Sequence, residues 1–145
     1  MQHVLTGLGA DGRSTVISRR DLSEPAREQV VVETLASTDE LPPRLPEMLV
    51  AQAPTADIGV EQAGTKWLIV KWPPNVDAYF HRSDTLDYDV VLSGEVTLLL
   101  EDGEVVLRAG DSVVIPGVLH GWRSGAEGCV SMAMLVALQN PPDRA

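Results

Sequence analysis

From Lys66 onward the chain is a succession of short aliphatic runs, each stopped by a residue that turns the backbone. KWLIVKW ends at Pro73-Pro74, YDVVLSG at Gly94, EVTLLLEDG at Gly103, EVVLRAG at Gly110 and DSVVIPG at Gly117. The Asp102-Gly103 pair accepts the positive φ that a two-residue hairpin turn requires. Strands at intervals of roughly 8–12 residues, with turns between them and no helical period, predict an all-β sandwich or barrel. A last strand is expected in the apolar run from Cys129 to Leu138.

The first half is less regular. STVISR follows a GADG turn, and VVVETL (Val30 to Leu35) is β-branched and short, so both predict strands. Between Leu41 and Pro54 four prolines forbid a long helix or a central strand, which predicts an ordered loop or edge cover with room for one short helical turn. No repeat or low-complexity linker divides the 145 residues, a length suited to one domain with a real core. Residues 1–65 then hold the N-terminal strands and Pro-rich loop, 66–138 the core and 139–145 a tail.

Charge narrows the partners. The formal net charge is −10, and the eleven Lys and Arg residues are scattered, so nucleic acid and anionic membrane are poor partners. Cys129 is the only cysteine, which rules out an intramolecular disulfide and a Cys-rich zinc site and suits a buried hydrophobe in a reducing compartment. The start, MQHVLTGLGADG, does not read as a signal peptide, and the longest apolar run is too short to cross a bilayer. A cytoplasmic setting is expected.

Chemistry concentrates between Phe80 and Trp122, which hold two of the three histidines. On an extended strand, side chains two apart share a face, so His81, Ser83, Thr85, Asp87 and Asp89 point one way unless a bulge intervenes. If that face is a barrel interior, a histidine and two acids enter an apolar cavity, and a divalent ion offsets the cost of burying them. His81, Asp87 and His120 supply a 2-His-1-carboxylate set suited to Fe, Mn, Ni or Zn rather than Ca. The bland alternative is a hydrogen-bonded His81–Asp87 pair without metal. Asp89 is either a general base or, more economically, paired or turned outward by a bulge. Ser83 and Thr85 either meet a ligand or satisfy neighbouring backbone, and Trp122 either walls the cavity mouth or packs in the core.

The segment resembles the two-motif core of the cupin superfamily, small double-stranded β-helix (jelly-roll) barrels. His81 takes the place of the first motif's first histidine, Ser83 that of the second, Asp87 that of the glutamate, and Gly94 closes the motif; Asn75 stands where a glycine opens it. In the second motif Gly110, Pro116 and His120 match in kind, the histidine arrives one residue early, and Ser124 replaces an asparagine. HRSDTLDYDVVLSGE followed by GDSVVIPGVLHGW is also similar to a branch of small bacterial cupins. The resemblance implies a single-domain cupin, with a metal-dependent enzyme of oxygenase, isomerase, decarboxylase or dehydratase type as the leading expectation. A metal-free, non-catalytic barrel that binds a small ligand is the rival. It also implies a homodimer, with VVVETL a candidate for pairing between subunits.

Overall fold

The computed structural model describes residues 2–8, 10, 13–22, 26–41, 59–60, 63–77 and 80–139. The Pro-rich segment from residue 42 to 54, read as an ordered loop or edge cover, and the tail beyond residue 139 lie outside the described residues. Among the described residues there is no helix, and none long and apolar enough to cross a membrane.

Eight strands follow in order: β1 Gln2–Leu8, β2 Ser14–Asp21, β3 Val31–Thr38, β4 Thr65–Trp72, β5 Thr85–Leu100, β6 Gly103–Arg108, β7 Ser112–Pro116 and β8 Gly121–Ala137. β1 and β2 form an antiparallel hairpin, while the others form one sheet in the order β3-β4-β8-β5-β6, with β7 also paired to β5. All pairings are antiparallel, as hairpin-connected strands favour. β5 and β8 run along each other for most of their lengths and carry the rest.

Three expectations change here. YDVVLSG and EVTLLLEDG are one strand of 16 residues, not two, because Gly94 bends the chain without ending its hydrogen bonding. Register shifts at Val91/Ser93 and Gly94/Val96 absorb the bend. β8 starts eight residues before Cys129, since Gly121 to Ser124 pair with Leu99 to Val96 although this part of the chain lacks a strong hydrophobic signal. β1 went unread because its apolar pattern is weak; it owes its place to pairing with β2.

Gly94 is the tightest point of the bend. Its φ is +74°, and a Cβ there would stand 2.1 Å from the carbonyl oxygen of Gly128. The pairing of β5 and β8 at this point therefore needs a residue without a side chain.

Alternation on β4 separates two faces. Leu68 and Val70 pack inward with Ala133 and Leu135, while Ile69 and Trp67 pack outward with Leu35 and Leu22. His3 of β1 meets the Trp67 ring edge-on at 5.9 Å, so the hairpin partly covers that outer face. A second inward cluster, Val91, Val96, Leu98, Leu107, Ile115 and Cys129, fills the other end. Burial pushes the Cys129 thiol up to about 11, the mark of an inert packing residue.

Candidate active site

Two short segments deliver the histidines. His81 and His120 form a main-chain bridge, each N–H donating to the other's carbonyl at 2.8 and 3.0 Å. Gly117, at φ +66°, turns the chain after β7 so that His120 comes down onto this bridge. The two rings stand 4.4 Å apart between centroids, tilted by 53°. The expected meeting of the two imidazoles is found.

The loop before His81 is anchored from β8. Asn75, in the place of the motif's opening glycine, has φ +56°, a conformation asparagine tolerates better than most residues. Its N–H donates to Gly125 O at 3.1 Å. Ser124, in place of the asparagine, accepts from Val76 N–H and donates to Pro73 O. Both departures from the motif are thus filled by residues that hold the loop.

The row from Thr85 to Asp89 keeps its parity because the register shifts fall after it. Thr85 and Asp87 are buried, and Asp87 and Asp89 both line a cavity of about 330 Å³. That volume lies at the lower end of the range for small-molecule sites. Asp89 therefore faces the cavity and is not turned outward, because no bulge falls early enough to rotate it. Thr85 Oγ1 donates to Asp87 Oδ1. Ser83 Oγ is buried without a hydrogen-bond partner among the described residues, though close enough to Asp87 to favour its carboxylate form.

His81 and His120 complete the polar end of the cavity, and Trp72 and Trp122 wall it, 6.2 Å apart between ring centroids. Trp122 also meets His120 edge-on at 5.9 Å, so it fills the wall role. Sequence reasoning missed Trp72. Its parity with Leu68 and Val70 was the available signal. The floor is apolar, made by Leu68, Val70, Ala133 and Leu135.

Burial sets the protonation of this end. It raises the Asp87 carboxyl against the opposing pull of the Thr85 hydroxyl, His81 and Ser83. Asp89 is pushed up to about 7, first by burial and then by the Asp87 charge. His120 is held below the usual histidine range by burial, opposed by its bond to Val118 O and reinforced by His81. That bond, Nδ1 to Val118 O at 2.9 Å, also fixes the tautomer. A carbonyl only accepts, so Nδ1 carries the proton and Nε2 keeps its lone pair.

The donor set fits a metal in part. A bare Nε2 braced through Nδ1 is the arrangement of a metal-ligating histidine, and His81 stands beside it. The third ligand does not join: among the described residues no three His, Cys, Asp or Glu side chains are grouped closely enough to hold an ion. As placed, His81, Asp87 and His120 are two facing imidazoles and a carboxyl engaged by Thr85.

A single antiparallel β-barrel with its polar row at one end defines the cupin fold. Solved structures share it: KdgF from Halomonas (TM-score 0.54, 13% identity, covering 80% of this chain and 87% of the other) and a putative mannose-6-phosphate isomerase from Ralstonia eutropha (0.54, 15%, 80% and 94%). At such identities they show the fold alone. No family model matches the sequence. Phomopsin biosynthesis cluster protein D of Diaporthe leptostromiformis is 35% identical over 80 residues, covering 54% of this chain and 42% of its own length. The cupin-domain-containing oxidoreductase virC of Hypocrea virens is 28% identical over 128 residues, 83% of this chain and 65% of that protein. The chain thus spans between two fifths and two thirds of these curated relatives. The chain has the cupin fold, and its similarity to proteins named for a cupin domain supports a place in that superfamily. These relatives are fungal, so they do not bear out a bacterial branch.

Proposed function

We propose that this cupin is an enzyme that moves protons on a small organic molecule held in the barrel cavity. The observation that carries the reading is the gathering of two imidazoles and two carboxyls at one end of an otherwise apolar cavity. In that setting His120 Nε2 takes a proton from the carbon beside a substrate carbonyl, and a carboxyl of the Asp87–Asp89 pair gives one to the carbonyl oxygen. The C–H bond breaks, an N–H and an O–H form, and the product is the redox-neutral enol. Trp72 and Trp122 exclude water and hold the substrate against the polar end. Relatives named for biosynthesis clusters and as oxidoreductases support an enzyme acting on small organic molecules.

The test follows hydrogen–deuterium exchange beside the carbonyl of simple ketones in D₂O by NMR, on protein stripped with a chelator and assayed for metal. Exchange above background is expected in the stripped protein, with a loss of about 10²-fold or more in His120→Ala. Exchange that disappears on stripping and returns with Fe, Mn, Ni or Zn replaces this reading with a metal-dependent one through His81, Asp87 and His120. Ketones that bind without exchanging leave the non-catalytic binding barrel.

We infer further that the protein is a homodimer in a reducing, cytoplasmic setting. β3 forms one edge of the sheet with Val30 and Val31 exposed, and such an edge favours pairing with a second chain. Light scattering at several concentrations should give twice the 15.6 kDa chain mass, and a constant single-chain mass contradicts it.

A further inference from the structure

The cavity has a direction, set by strand register. On the floor Asp89 of β5 stands opposite Ala133 of β8, which stands opposite Leu68 of β4. In the next row Val91 is followed by Ser131, Val70 and then Val32 of β3. Both carboxyls therefore lie at the β5 end, and the floor from β8 to β3 is mainly aliphatic. From β5 to β3 is three strand spacings, about 14 Å. The imidazoles of His81 and His120 stand at the same cavity, and its described lining contains two carboxyls and neither Lys nor Arg.

We propose that the substrate is an uncharged, elongated molecule, with an oxygen-bearing head at Asp87, Asp89 and His120 and an apolar tail lying across β8 and β4 toward Val32. An anionic head is disfavoured on two counts. It meets two acidic side chains at the cavity's polar end, and the described lining offers no Lys or Arg to neutralise it. A tail is favoured because the floor that continues from the head group is aliphatic, and an apolar chain laid on it leaves water. Phosphate esters, nucleotides and short carboxylates are thereby excluded as substrates, and medium-length ketones, aldehydes and phenols are included.

This inference rests on the proposed site but not on its chemistry, so it is tested by binding alone. The probes are a series of methyl ketones of increasing chain length, with the carboxylates and primary amines of matching length, titrated by calorimetry. Quenching of the Trp72 and Trp122 emission gives a second signal from within the cavity. Affinity for ketones is expected to rise about fourfold per methylene until the lane is full, then level off. Each carboxylate should bind at least tenfold more weakly than its ketone. In Val32→Phe, which narrows only the far end, the plateau should come at a shorter tail while the shortest ketones bind as in the parent. An affinity independent of length, a carboxylate or amine that outbinds its ketone, or a plateau unmoved by V32F overturns the proposal. Ketones that bind in this pattern but exchange no hydrogen count against the proposed reaction and leave this inference standing.

Discussion

Replacing Asp89 by Asn should make the metal-free protein more stable at neutral pH and nearly inactive. The Asp89 carboxyl titrates at about 7 in the folded chain against an ordinary 3.8. Between those values the folded protein holds a proton that the unfolded chain has released, so stability falls as pH rises through this window. Below about pH 4 the group costs nothing; above about pH 7 the loss is complete. A rise of this size corresponds to about 4 kcal/mol, an upper figure for a side chain that keeps some contact with water. His120 acts in the opposite sense: its lowered value removes stability as pH falls below its ordinary 6.5. The difference between parent and variant isolates Asp89. Denaturant unfolding after chelation, at steps from pH 4 to 8, should show D89N gaining on the parent up to about pH 7 and holding its lead beyond. Hydrogen exchange on ketones should drop about 10²-fold or more in the same variant. A stability difference that is flat with pH would mean that the carboxyl is solvated and the cavity is open to water.

The second large effect is expected at Gly94→Ala. A left-handed backbone costs an L-residue about 1–2 kcal/mol. In addition the new methyl would meet the Gly128 carbonyl oxygen at 2.1 Å, and main chain cannot step aside as a side-chain rotamer can. Shifting β8 adds about 1–3 kcal/mol, so the total reaches a large part of the stability of a small domain. Gly110→Ala is the control, because its φ is +93° but nothing lies within 4 Å of its Cβ position. Urea midpoints should put G110A about 1–2 kcal/mol below the parent and G94A well below that. Equal losses in the two would mean that the strands separate easily at the bend.

These expectations draw on features of unequal legibility. The turn residues after Trp72 gave strand positions directly, because a hairpin needs Gly or Asp-Gly at its tip whatever surrounds it. Gly94 misled for the same reason: a bend that keeps its hydrogen bonds and a turn that ends them call for the same residue. β1 and the first half of β8 were unreadable locally, since their stability comes from partners distant in sequence. At the site, period-two spacing placed Thr85, Asp87 and Asp89 on one face. Spacing could not say how far the Asp87 carboxyl would stand from the imidazoles, because that depends on its bond to Thr85. Nor could it show that Val118 O would select the His120 tautomer, a contact made by backbone and so silent in residue identity.

The bridge between residues 81 and 120 is made entirely by peptide groups. Its two hydrogen bonds therefore form whatever side chains the positions carry, and a replacement at residue 120 gives up only the ring's own bond to Val118 O and its packing on Trp122. A scaffold of this kind separates the holding of the reactive end from its chemistry, which makes these two positions natural starting points for redesigning the barrel toward new reactions.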